Sequence, residues 1–335
     1  MLCAVSLSPA VLYLHSTYDS IPWVGKEGKG ASPLGVYMVF PYMDHDLAGL
    51  LENERVKLQP SQIKLYMKQL LEGTEYMHRV CFPSFSDLKC EMLTAVAGQN
   101  HILHRDMKAA NLLISNDGSL RIADFGLARA FLPENRGGRE GKDRKYTNCV
   151  VTRWYRPPEL LLGARHYGGE VDIWGIGYVP FHFYPIYCEV YLWETRCVLG
   201  EMFMRKPILP GTTDPDQLEK IWALCGTPNQ HTWPNHDDLP GCEGIKRFAT
   251  TYSRRLKQTY DSYVPSVSAI QGSVLIVFCA GRIGVETCDL LDKMLTCNPR
   301  DRISATDALD HDYFWTDPLP ADPKTLVFSF STNVN

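Results

Sequence analysis

One stretch of the chain gathers groups able to act on a phosphate. The string HRDMKAAN (104–111) supplies His104, Arg105, Asp106, Lys108 and Asn111; after twelve intervening residues DFG begins at Asp124, and RPPE runs from Arg156 to Glu159. An acid five residues ahead of an amide, with a second acid beyond, is what phosphoryl transfer from a nucleotide requires. Asp106 can accept the proton of an incoming hydroxyl, and Asn111 and Asp124 offer hard oxygen ligands to Mg2+. Lys108 can neutralise charge on the transferring group. Taken singly, His104 reads as a core histidine, Asp124 as part of a turn and Asn111 as a helix cap. Together, seven fixed positions, each met by chance about one time in 20, leave a coincidence on the order of one in a million over all start points.

For these oxygens to converge, the flanking chain must hold them. Residues 36–40 (VYMVF) read as a short buried strand. From Pro60, a first-turn proline, apolar groups recur at Ile63, Tyr66, Met67, Leu70, Leu71, Thr74 and Met77, the spacing of one helix face. Ile102 with Leu103, residues 112–114 and residues 120–123 are short β-like runs, the last two joined by Asn116-Asp117-Gly118, a hairpin-turn signal. Beyond Pro157 the pattern is mainly helical to about residue 316. The stripe begun by Ile173 and Ile176 stops at Gly177, yet it resumes at Val198, Leu199, Met202 and Phe203 if residues 178–196 are skipped. Residues 80–99 and about 268–284 interrupt in the same way, and unstructured loops of that length are uncommon inside a compact domain.

The 335 residues allow two domains, or one with a large lobe, and 45% apolar with 21% charged residues is an ordinary globular composition. With 34 Lys and Arg against 38 Asp and Glu, no global field draws nucleic acid or an anionic membrane, so neither is expected as a partner. Eleven cysteines without a CxxC pair indicate neither a disulfide framework nor a zinc site, and a reducing compartment fits. Residues 2–14 make a poor signal peptide, since the first basic residue is Lys26 and Pro9 interrupts the run. The remaining apolar runs are too broken to span a bilayer, and a soluble protein is expected.

HRDMKAANLL, DFG, TRWYRPPELLLG, DIWGIG and NPRDRIS resemble the protein kinases, and within them the cyclin-dependent kinases. KAANLL with LDHDYFWTDPLP is most similar to the transcription-elongation members, including the fungal Bur-type kinases. The resemblance implies an α+β, protein-kinase-like fold, mainly the α-helical large lobe with a remnant of the β-rich small lobe. It implies ATP and Mg2+ as cofactors, with catalytic roles for Asp106, Lys108, Asn111 and Asp124 and metal ligation by Asn111 and Asp124. Phe40 resembles the gatekeeper, Pro41, Tyr42 and Met43 the hinge that meets adenine, Asp46 the ribose edge and Leu113 the floor under the base. Thr147 stands where the activating phosphothreonine lies, with Arg105 and Arg129 as its cations. Arg136, Arg139, Lys142, Arg144 and Lys145 beside it read as a solvated loop face. Val151 and Arg156 match the pair that turns a carbonyl away from the residue after the phosphoacceptor; proline, lacking an N–H, does not miss it, so Ser-Pro or Thr-Pro substrates are implied. Glu159 with Arg302, and Asp172, match scaffold positions.

The sequence departs from the family before residue 36: Gly28-Lys29-Gly30 is followed by Pro33 and no strand lysine or helix glutamate appears, so residues 1–35 read as an atypical remnant. Residues 36–318 form the expected kinase domain and 319–335 a tail. Val80 and Val327 could each be encoded by a GT-initial codon and Gln99 by CAG, so the interruptions and the end of the tail read as retained intron sequence. The expected function is a nuclear, cyclin-dependent Ser/Thr kinase acting on transcription machinery, the repeats of RNA polymerase II, with the cyclin bound by the full-length form. The rivals are a catalytically dead kinase-fold interaction protein and, more weakly, a small-molecule phosphotransferase. For the chain as written, the missing lysine implies negligible turnover.

Overall fold

Pro60 opens the longest helix among the described residues, and its N-terminus is closed by Gln62, whose Oε1 accepts from the Gln59 N–H at 2.7 Å. The computed structural model describes residues 16–19, 36–53, 56, 58–79, 101–131, 145–148, 150–177, 211–242, 250–257 and 284–323. Its strands are β1 (Ser16–Asp19), β2 (Val36–Val39), β3 (His45–Asp46), β4 (His101–Leu103), β5 (Leu112–Ile114), β6 (Leu120–Ile122) and β7 (Arg129–Phe131). The α-helices are α1 (Leu47–Glu52), α2 (Pro60–Arg79), α3 (Pro158–Leu161), α4 (Glu170–Gly177), α5 (Asp214–Cys225), α6 (Val285–Met294) and α7 (Ala305–Leu309). The interruptions at 80–99 and 178–196, nearly all of that at about 268–284, the continuation at 198–203, Gly28 to Pro33, Arg136, Arg139, Lys142, Arg144 and the end of the tail lie outside the described residues.

All seven stripe residues of α2, from Ile63 to Met77, are buried, and each large apolar side chain so enclosed contributes about 1.5–3 kcal/mol. One end of α2 holds the C-terminal segment: the buried Lys64 ammonium donates to the Thr316 carbonyl at 2.7 Å and lies over the Tyr313 ring. Its middle holds a hairpin, because Gln69 Oε1 accepts from the Leu120 N–H at 2.6 Å. That hairpin is β5 against β6, antiparallel, with Leu112 opposite Ile122. Its turn closes by the Gly118 N–H donating to the Ser115 carbonyl, with Gly118 at φ 82, a conformation glycine adopts without Cβ strain. β3 joins β5 on its other side, while β1 pairs with β2 and β4 with β7, both antiparallel.

Two details differ from the sequence expectation. The strand over 36–40 ends at Val39, and Phe40 is 44% exposed; Pro41, without an N–H, restricts the residue before it and prevents the ladder from continuing. A strand at 16–19 and one at 129–131 also form, although neither segment alternates clearly enough to announce itself.

Below the hairpins, α4 is buried along its length and packs against α6. Gly177 makes this possible, since a Cβ there would lie 2.9 Å from Met294 Cβ, and Gly175 lets the same helix approach the 104–111 loop, where a Cβ would lie 2.9 Å from Met107 Cβ. The Arg302 guanidinium, completely buried, grips Glu159 with two hydrogen bonds of 2.8 and 2.9 Å and donates to the carbonyls of Glu170, Thr296 and Cys297. It also covers the Trp174 ring. A buried ion pair survives only when each remaining donor finds a partner, and here it ties α3, α4 and the chain after α6 together.

Candidate active site

The site is built upward from Asp172 in α4. Its carboxylate accepts from the backbone N–H groups of His104 and Arg105 at 2.9 and 2.8 Å and meets His78 Nε2 at 2.8 Å. Burial opposes a charge there, but the His78 hydrogen bond and the neighbouring imidazoles outweigh it and hold the carboxyl below the ordinary carboxylate range. This clamp keeps Arg105 at φ 65, a left-handed conformation costly for a non-glycine residue, and so turns the loop sharply. The His104 ring fixes the loop's height: Nε2 bonds the Ala123 carbonyl at 2.8 Å, while Nδ1 accepts from the Asp106 N–H at 3.2 Å. The tautomer protonated at Nε2 satisfies both.

Asp106 is thereby presented with three side chains around its carboxylate. Lys108 Nζ donates to Oδ2 at 2.6 Å, Asn111 Nδ2 to the same oxygen at 3.0 Å, and the Thr152 hydroxyl to Oδ1 at 3.2 Å. Partial burial raises the cost of the charge, yet these bonds and the Lys108 charge prevail and hold Asp106 below the ordinary carboxylate range. The result is an ionised carboxylate with lone pairs left to accept a proton or a hydroxyl hydrogen bond.

Asn111 and Asp124 suit a divalent cation by their donor chemistry. The Asn111 amide nitrogen donates to both the carbonyl and the carboxylate of Asp106, at 2.8 and 3.0 Å, so its Oδ1 points the other way. Asp124, exposed and at φ 60, uses one oxygen to accept from the Gly126 N–H at 3.3 Å. The two are neighbours because the Ala123 N–H donates to the Asn111 carbonyl at 2.9 Å, and Phe125 packs edge-on against His104 at 5.0 Å. Oxygen donors on a short strand end and a tight turn form the kind of set Mg2+ takes.

Beside Asp106 runs the strip 150–156. Val151, buried, stands at φ 67, a strained value for a β-branched residue. Arg156 accounts for it: Nε donates to the Val150 carbonyl at 3.0 Å and Nη2 to the Val151 carbonyl at 3.2 Å. Thr147 is exposed, and the structure joins it to Arg105 through an intermediary. The Tyr167 hydroxyl donates to the Thr147 carbonyl at 2.6 Å and receives Arg105 Nη1 at 3.3 Å, while Arg105 Nε holds the Leu127 carbonyl at 2.7 Å. Arg129 lies over the ring of Tyr146, the residue before Thr147, at 5.1 Å.

At the other end, Phe40, Pro41, Tyr42 and Met43 run as irregular chain between β2 and β3, with Tyr42 84% exposed. Asp46 and half-buried Leu113 are brought face to face as strand partners. Asp46 also caps α1, accepting from the Gly49 N–H at 3.1 Å. Sequence reasoning missed Thr152, Tyr167 and His78. Thr152 lies within TRWYRPPE and was within reach of that signal; Tyr167 and His78 act across 20 and 94 residues of chain and carried none.

Residues 30–314 match the family described as the Protein kinase domain. The chain belongs to the protein kinase family. Among kinases it is 43% identical over 87% of its length to the probable cyclin-dependent kinase 9 of Schizosaccharomyces pombe, and 44% identical over 90% to the serine/threonine-protein kinase bur1 of Emericella nidulans. It spans 40% and 45% of those two proteins. A kinase of known structure in the yeast RNA Pol II CTD kinase CTDK-1 complex is 32% identical, with a TM-score of 0.66 over 94% of this chain and 79% of that one. A chain of the CAK complex from Chaetomium thermophilum bound to ATP-gamma-S gives 0.67 at 31% identity, covering 94% and 75%. The fold is thus kinase-like, and homologues in this family are named serine/threonine kinases.

Proposed function

We propose that the protein is a cyclin-dependent, proline-directed Ser/Thr kinase of the transcription-elongation type, transferring the γ-phosphoryl of ATP to Ser-Pro or Thr-Pro sites in the repeats of RNA polymerase II in the nucleus. The observation that carries this reading is the junction of an ionised Asp106, held by Lys108, Asn111 and Thr152, with the Val151–Arg156 strip in which Thr152 itself lies. Asp106 accepts the substrate hydroxyl proton, and Lys108, beside it, offsets charge on the phosphoryl oxygens as they approach. Asn111 and Asp124 would hold Mg2+, which when bound neutralises nucleotide phosphates. Asp46 and Leu113 border the nucleotide. Arg156 keeps the strip's carbonyls for itself, so a substrate residue with an N–H finds no acceptor there and proline loses nothing. The likeness to cyclin-dependent kinase 9 supports a cyclin partner, and the likeness to the RNA Pol II CTD kinase complex supports the substrate class.

The test is a kinase assay of the full-length form, the one expected to bind the cyclin, purified with its associated subunits, comparing a Ser-Pro repeat peptide with its Ser-Ala counterpart. Phosphorylation that favours Ser-Pro and disappears with Asp106→Asn is expected. Nucleotide and peptide binding without turnover would instead assign an interaction role.

A further inference from the structure

The Val151–Arg156 contact needs something to hold the arginine, because a guanidinium at the surface samples many rotamers unless a second group pins it. Arg156 is only partly exposed, and its Nη1 is met at 3.3 Å by Oδ2 of Asp214, the first residue of α5 and 58 positions further along the chain. The other Asp214 oxygen takes Arg153 Nε at 2.7 Å. Three further bonds lock α5 against the strip: Arg153 Nη1 to the Thr212 carbonyl, Trp154 Nε1 to the Gly211 carbonyl, and the buried Gln217 amide to the Trp154 carbonyl. Thr213 caps α5 by accepting from the Asp216 N–H, which fixes where Asp214 stands.

We infer that Asp214 is a specificity-positioning residue: its carboxylate aims the Arg156 guanidinium so that Nε and Nη2 occupy the Val150 and Val151 carbonyls, and selection of proline after the phosphoacceptor depends on that aim. The inference rests on the proline-directed reading above. Planarity gives it force. A guanidinium held at Nη1 by a carboxylate has its remaining N–H groups pointing in fixed directions, and here Nε and Nη2 both fall on carbonyls. Without Asp214 the plane is free to rotate, Val151 loses the bond that accompanies its φ of 67, and the carbonyl becomes an acceptor for a substrate N–H. Discrimination falls because the non-proline peptide gains.

Steady-state kinetics on a Ser-Pro and a Ser-Ala peptide, with the protein in its purified complex, provide the test. Asp214→Asn is expected to lower the ratio of the two kcat/KM values by about fivefold, the scale of one partly exposed charge-assisted hydrogen bond, through a rise on Ser-Ala. Asp214→Glu, which keeps the charge, is expected to retain most of the ratio. A structural defect in α5 would lower both peptides in parallel, and a ratio unchanged within about twofold overturns the proposal. Arg153→Met removes the other partner of Asp214 and one of the bonds that lock α5, without touching Arg156, and is expected to lower the ratio by less than Asp214→Asn does; a fall equal to or larger than that of Asp214→Asn would assign the effect to the whole segment and also overturn it. If the unaltered protein shows no preference for Ser-Pro, the proline-directed reading itself fails, an outcome separate from these.

Discussion

Two constellations of charge share one short stretch of chain, Thr152 belonging to one and Glu159 to the other, and are built on opposite plans. Around Arg302, every described contact closes inward: Glu159, three carbonyls and the Trp174 face occupy the guanidinium, and nothing of it reaches solvent. Around Asp106 the contacts are one-sided. Lys108, Asn111 and Thr152 hold the carboxylate from three directions, yet Lys108 and Thr152 remain partly open and the Asn111 oxygen is turned away from its own network. The backbone separates them likewise: Arg105, Asp124 and Val151 all take positive φ around the second constellation. A closed network fixes architecture, whereas an open one with strained backbone keeps capacity for a ligand.

The strongest way to break this contrast is Asp106→Asn. It should lower turnover by about 10²–10⁴-fold, or about 3–5 kcal/mol in barrier, while thermal unfolding stays near the parent value. Turnover within threefold of the parent would remove Asp106 from the open constellation's chemistry. Arg302→Met addresses the closed one, leaving Glu159 buried and unpaired at a cost of about 3–5 kcal/mol of stability by denaturant titration. A loss below ~1 kcal/mol would mean that Glu159 finds water and the network is not closed. Thr147→Ala should reduce activity by about tenfold with the fold intact, the scale of the one to three charge-assisted bonds a phosphate there would make. Equal activity of phosphorylated and unphosphorylated protein would show that the Tyr167 bridge orders the segment unaided.

The smallest effect concerns pH. Asp106 is held low, so its ionised form persists below the ordinary carboxylate value of about 4 and is lost only as pH falls through its depressed value. Lys108→Met removes the main opposing contribution and lets burial raise it, so the acidic limb of kcat/KM should move upward in pH. A limb that stays in place while turnover drops would assign Lys108 to the phosphoryl group alone.

The elements that position the site were legible wherever a local rule applied. The α2 stripe follows from a period that one helix face must satisfy, and the β5–β6 hairpin from a glycine able to take φ 82. The chemistry in HRDMKAAN and DFG was legible because the spacing itself is the signal. What stayed hidden was non-local. His78 meets Asp172 across 94 residues and Arg156 meets Asp214 across 58, and periodicity says nothing about which polar partner a fold will deliver. The positive φ values of Arg105 and Val151 were hidden for the same reason: neither residue type favours that conformation, and distant bonds impose it.

Gly175 sets a clearance. α4 approaches the catalytic loop so closely that an added methyl would stand 2.9 Å from Met107 Cβ and 3.1 Å from its carbonyl oxygen, and the neighbouring backbone cannot swing aside as a flexible side chain would. Met107 directly follows Asp106, so volume introduced at this one point works as a mechanical shim beneath the loop. It would lift the carboxylate off its supports while every charge in the site keeps its identity, so the spacing between two backbones bears on the proposed chemistry alongside the acid itself.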